Sequence, residues 1–192
     1  METSYNPTDA IQTIEQSIKE ISALPTGAAY YFKLWGLILS SFYAIQFIAQ
    51  QTDSATWNLI QNFSWLLFVM GGIASGVQNK RDQQTEQFEH FLDRVYFYAF
   101  ISFAISVAVI QLYASLKNNQ LNYTLFPLLL GMTIICTGGI AKYYLSVTLG
   151  VICCALSVVN LFVSVEFVAL IAAIAAFIGS FLTGYFMKNR NV

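Results

Sequence analysis

The chain is short of charge. Only 10% of its 192 residues are charged, nine Lys or Arg and ten Asp or Glu, against about 25% in an ordinary soluble domain. The net charge of −1 excludes the basic patch that nucleic acid requires. Histidine occurs once, at His90, and proline three times, at Pro7, Pro25 and Pro127. Cys136, Cys153 and Cys154 follow no CxxC or metal-ligand spacing, so they read as small membrane-buried side chains and define no redox compartment. There is no Ser/His/Asp set, no HExxH motif and no pair of intramembrane carboxylates for acid–base work. The expectation is a protein that is not an enzyme and binds no cofactor. The first twenty residues are polar and acidic, unlike the basic and then apolar start of a cleaved signal peptide, so the first span reads as an uncleaved insertion signal.

Hydrophobic residues fill 57% of the chain, and the few charges punctuate them. Seven charges crowd into the stretch 78–94, QNKRDQQTEQFEHFLDR. Outside it, between Lys33 and Lys188, only Asp53, Lys117, Lys142 and Glu166 are charged. The uncharged runs 34–52, 54–79, 95–116, 118–141, 143–165 and 167–187 are each 19 to 26 residues long. A helix crossing the hydrocarbon core needs about 20 mostly apolar residues. This pattern predicts an all-α polytopic membrane protein with six transmembrane helices in one bundle, at about 30–51, 55–78, 95–115, 122–140, 143–163 and 166–187. A short amphipathic cytoplasmic helix would occupy 1–27, the six-span domain 28–187, and a cytoplasmic tail 188–192.

Six spans with both termini in the cytoplasm place Lys19, Lys33, Lys80, Arg81, Arg94, Lys142, Lys188 and Arg190 inside and Lys117 alone outside. That agrees with the positive-inside rule and predicts a multi-pass protein of the plasma (inner) membrane, surrounded by the lipid bilayer. Tyr30, Tyr31 and Trp35 suit the headgroup level, and Lys33 can snorkel beside them.

Residues 6–24 carry helix signals: Asn6 to cap, Pro7 at the first helical position and Asp9 in the first turn. Ile11, Ile14, Ile18 and Ile21 then fall on one stripe, and Pro25 and Gly27 end the helix. The stripe either docks a protein partner at the cytoplasmic face or lies against the protein's own cytoplasmic side. In the charged stretch, Glu86 with His90 and Glu89 with Asp93 are four apart. A metal there would need a further histidine or cysteine, and none is available, so no metal site is expected.

Small residues mark helix contacts. Gly72 and Gly76 form a GxxxG pair beside Gly71 and Ser75, read as packing within the bundle or as a dimer motif, the former being the commoner use. Nothing else in the sequence indicates a homo-oligomer. Gly138 and Gly139 read as C-cap residues. Ala172, Ala176, Ser180 and Gly184 recur every four positions as a close-packing face. Glycines within the spans all fall in the cytoplasmic halves, whereas Gln46, Gln61, Asn62, Gln111 and Asn160 fall in the outer halves. Burying an unpaired amide in an apolar medium costs several kcal/mol, so these five either pair across helices, meet water at the outer headgroups, or line an outward-facing polar recess.

The motifs YYFKLWG at 30–36, GGIASG at 71–76, HFLDRVYFY at 90–98, TGGIAKYYLSVTLG at 137–150 and GYFMKNR at 184–190 together resemble a family of small, uncharacterised bacterial six-helix integral membrane proteins. The resemblance implies the architecture and no activity. Two functions follow from the residues. The first is an interaction or regulatory membrane subunit that uses the Ile stripe and the 78–94 loop. The alternative is a carrier or channel for a small neutral solute. The absence of Asp, Glu, Lys, Arg and His within the six runs argues against ion coupling.

Overall fold

The computed structural model describes residues 28–52, 54–85, 91–117 and 121–188. Among the described residues every regular element is helical and no strand occurs, in agreement with the all-α expectation. In order they are α1 (Ala28–Gln51), α2 (Ala55–Phe63), α3 (Leu66–Thr85), α4 (Phe91–Lys117), α5 (Leu121–Ile140), α6 (Tyr144–Val159), a 3-10 turn (Val165–Phe167), α7 (Val168–Ala176), a π-helical turn (Phe177–Leu182) and α8 (Thr183–Lys188). Four continuous helices are long and apolar enough to cross a membrane: Ala28–Gln51, Ala55–Arg81, Tyr123–Ile140 and Val165–Met187. Tyr98–Ile110 and Tyr144–Val159 are shorter apolar helices.

The last rod, residues 165–188, is the centre of packing. Its small residues let two neighbours come to backbone distance. On one side lies α1, running antiparallel. A Cβ at Gly36 would collide with the backbone nitrogen of Phe181, and one at Gly184 would lie 2.7 Å from the Ala29 carbonyl oxygen and the Lys33 nitrogen. The Phe47 and Phe167 rings meet at the far end, 6.1 Å apart. On the other side lie α5 and α6: a Cβ at Gly179 would stand 2.6 Å from Cys153 Sγ and 3.0 Å from Ile134 Cδ1. Cys153 itself donates to the Ala175 carbonyl at 3.3 Å. Ala172, Ala176, Ser180 and Gly184 are all buried, so the four-residue stripe is a packed face as the spacing predicts. The π turn explains how it stays straight. Four residues of α-helix overshoot a full circle by about 40°, whereas a π turn, closed by i→i+5 bonds, winds more slowly and brings the fourth residue back nearly into line.

The α5–α6 hairpin is closed by backbone geometry that differs from the expectation. Gly138 and Gly139 are not the capping residues; they lie inside the final turn of α5. Tyr143 N–H donates to the Gly138 carbonyl at 2.8 Å and Lys142 N–H to the Gly139 carbonyl at 3.1 Å, the paired bonds of a Schellman cap. The left-handed residue this cap needs is Lys142, at φ 52°. Gly138 is kept small for another reason: a Cβ there would sit 2.8 Å from Ser146 Cβ on the returning helix.

Helices α2 and α3 form one rod, Ala55–Arg81, with a tight turn at Ser64–Trp65 where Ser64 N–H bonds the Gln61 carbonyl at 3.1 Å. The rod meets α1 through Gly71, whose Cβ would strike Ile38 Cδ1, and through Phe68, whose ring lies 5.0 Å from Phe42. Gly72 and Gly76 turn away from this contact. Nothing lies within 4 Å of a Cβ at either, so among the described residues this GxxxG pair does not pack inside the bundle.

Candidate functional site: an interhelical polar layer

Four of the buried polar side chains, Gln46, Ser64, Ser157 and Asn160, lie at one end of the helices, where α1 finishes, the α2–α3 rod starts, α5 starts and α6 finishes, whereas Thr137, Ser146, Ser180 and Thr183 lie toward the other. Two sets of hydrogen bonds are built at the first end. The first joins α1 to the rod. Gln61 Nε2 donates to Gln46 Oε1 at 2.6 Å, Gln46 Nε2 donates to Ser64 Oγ at 3.3 Å, and Ser64 Oγ donates to the Gln61 carbonyl at 2.7 Å. The ring of bonds is closed on itself, so the buried Gln46 amide has its donor and its acceptor occupied.

The second set originates at Pro127. In an α-helix the carbonyl of residue i accepts from the N–H of i+4, and proline has none. The Tyr123 carbonyl is therefore left without its helical donor. Asn160, at the end of α6, supplies one: its Nδ2 donates to the Tyr123 carbonyl at 3.2 Å. One helical turn earlier on α6, Ser157 Oγ donates to the Thr124 carbonyl at 2.7 Å. The Tyr123 ring packs edge-on to Tyr43 of α1, with centroids 5.8 Å apart. Tyr123 thus ties α1, α5 and α6 together.

Of the five amides expected in the outer halves, Gln46, Gln61 and Asn160 are brought into this layer and pair across helices. Asn62 is exposed, on the stripe of its rod next to the one that faces α1. Gln111 lies in α4, and its side chain is outside the described residues, as are Ile11, Ile14, Ile18 and Ile21, and Glu86, Glu89 and His90 of the charged stretch. Two shallow apolar grooves of about 310 Å³ each open on the protein's outer surface. One runs between α1 and the last rod beside Ser40, Ala44 and Phe177, the other between α1 and the α2–α3 rod beside Ile45, Phe63 and Met70. Gln46, Gln61 and Asn160 line neither groove.

Pattern singled out Asn160 among the amides and Ser180 in the small-residue stripe, but not Thr183. Asn160 Oδ1, Ser180 Oγ and Thr183 Oγ1 are buried and accept or donate no hydrogen bond among the described residues. Elsewhere in the chain a helical hydroxyl bonds the carbonyl four residues back, as Thr133, Thr137 and Thr148 do at 2.8 to 3.0 Å. Ser180 lies within the π turn and Thr183 directly after it, where that carbonyl is displaced by the wider winding. Among the described residues no group of three or more His, Cys, Asp or Glu comes together to hold a metal. Compared with protein-family models, with curated proteins and with solved structures, the chain matches none.

Proposed function

We propose that the chain is a six-span protein of the inner membrane that serves as an interaction or regulatory subunit. The bundle is a closed anchor, and the N-terminal segment and the 78–94 stretch form its cytoplasmic partner surface. The observation that supports this is the use made of the interior amides. Gln46, Gln61 and Asn160 are engaged in helix-to-helix bonds and line neither of the two grooves described above. Polar groups in a solute path are instead presented to a cavity with a few convergent partners. In this reading α4 and α6 are the third and fifth spans.

Reporter fusions at Gln83 and Asn119 test the topology, with cytoplasmic and exterior signals expected respectively; the same side for both would overturn six spans. Function is tested by purification from mildly solubilised membranes after cross-linking in intact cells. A partner chain should co-purify with the native sequence and be lost when Ile14 and Ile18 are changed to Asp. Recovery of the protein alone in both cases, or with a bound small molecule, would sink the proposal. A carrier for a small neutral solute is the second reading, and the unpartnered buried oxygens of Asn160, Ser180 and Thr183 favour it. It predicts that a cysteine at Asn160 reacts with an impermeant thiol reagent added from outside, whereas the closed anchor predicts no reaction.

A further inference from the structure

The α2–α3 rod shows two adjacent stripes with opposite fates. Gln61, Ser64, Phe68 and Gly71 face α1. One residue further along, Asn58, Asn62, Trp65, Val69, Gly72 and Gly76 follow at spacings of four, three, four, three and four, and every one of them is exposed. This is the spacing with which one helix faces another along its length. We propose that this second stripe is the interface with a second copy of the same chain, forming a parallel homodimer through the second span. The inference rests on the membrane-spanning reading above.

The occupant is argued from two independent features of the stripe. The first is Asn62. It lies five residues into the rod from Trp57, about 7.5 Å below the headgroup level that a tryptophan marks. Its neighbour Gln61, on the packed stripe, has a partner in Gln46. Asn62 is exposed, and its side chain makes no hydrogen bond among the described residues. Lipid tails can cover an apolar helix face, but they offer nothing to an amide, and amides in membrane helices bond across helix interfaces. The second is the pair Gly72 and Gly76, which opens a notch with no atom of the described residues within 4 Å of either would-be Cβ. A notch of this kind lets two backbones approach.

The symmetry selects the partner. Two copies inserted with the same sidedness run their second spans parallel, and a two-fold axis along the pair sets each residue against its own counterpart. An amide is both donor and acceptor, so Asn62 complements Asn62, and the glycine notch admits the equivalent notch.

Single cysteines in membranes test this, in a chain carrying Cys136→Ala, Cys153→Ala and Cys154→Ala. Mild oxidation should link copies through Asn62→Cys, Val69→Cys and Gly76→Cys, and not through Ile60→Cys or Met70→Cys, which are exposed on other faces of the rod. Adding Gly72→Leu and Gly76→Leu to the Val69→Cys chain should lower the linked fraction by about tenfold. These leucines start in open space within their own chain, so they leave its fold intact. Absence of linking, equal linking at all positions, or indifference to the leucines would overturn the dimer. Alkaline extraction of the same membranes separates the two levels. A chain retained in the membrane but not linked through the stripe refutes the dimer alone, and a chain released refutes the spans and the dimer together.

Discussion

The side-chain amide of Asn160 donates to the carbonyl oxygen of Tyr123 across 3.2 Å and across two helices. It replaces the donor that Pro127 lacks four residues further on. Leaving a buried acceptor unpaired costs about 1–3 kcal/mol, so Asn160→Leu should destabilise the detergent-solubilised protein by that amount in reversible unfolding. Pro127→Ala restores an N–H to the helix, and in that background Asn160→Leu should cost less, with a coupling of about 1 kcal/mol or more. Strict additivity of the two changes would refute the link.

Gln46 and Gln61 form a closed pair, and the sign of their coupling follows. Changing Gln46 to Leu leaves the Gln61 amide unpaired, and changing Gln61 to Leu leaves the Gln46 Oε1 acceptor unpaired while Gln46 Nε2 keeps Ser64, each at a cost of about 1–2 kcal/mol. Changing both should cost little more than nothing, because two apolar groups then fill the same space. A double-mutant cycle on thermal unfolding measures this; a double variant as unstable as the sum of the single ones would exclude it.

Two glycines should respond in opposite directions to the same substitution. Gly36→Ala drives a methyl into the Phe181 backbone and should destabilise by about 1–3 kcal/mol. Gly139→Ala adds a methyl in open space within a helix and should stabilise by about 0.5–1 kcal/mol. Unfolding midpoints that move in the same direction for both would contradict the packing of α1 on the last rod.

Lys142 holds a backbone conformation that glycine adopts without penalty, at φ 52°. Lys142→Gly is expected to raise stability by about 0.5–1 kcal/mol, and Lys142→Val to lower it by about 1 kcal/mol. Differential scanning calorimetry in one detergent provides the comparison, and a destabilising glycine would show that the lysine's charge outweighs its strain.

The helices were legible because charge exclusion over some twenty residues is a signal that every residue in the run shares. The runs 34–52 and 118–141 align with Ala28–Gln51 and Leu121–Ile140 for that reason. The Ala172, Ala176, Ser180 and Gly184 face was legible for the same reason, being a repeat. What was not legible depends on partners remote in sequence. Small residues state that a close approach is permitted, not which element makes it. Hence Gly36 and Gly184 are occupied, whereas Gly72 and Gly76 are open. The left-handed position at Lys142 was hidden by two nearby glycines with stronger intrinsic preference for it. The π turn has no residue signature of its own. The carbonyl that Pro127 orphans at Tyr123 was not among the expectations, and nothing local identifies a donor 37 residues away.

If the six-span proposal holds, the brevity of α6 bears on the lipid around the protein. Its 16 residues rise about 24 Å, less than the roughly 30 Å of a bilayer's hydrocarbon. The 27 residues of Ala55–Arg81 rise about 40 Å. Between them, in the six-span proposal, the bilayer would meet a wedge: its tails would be compressed along one flank and have ample height along the other. The side chains just beyond α6 match a lowered boundary, since Leu161 and Phe162 are 68% and 85% exposed where the chain turns back. Mismatch costs fractions of a kcal/mol for each ångström, so the elastic load falls on one flank. On that proposal, a body of this shape would be at lower energy in a thin membrane than its longest helix suggests, and membrane thickness would be one of the variables that decide where it resides.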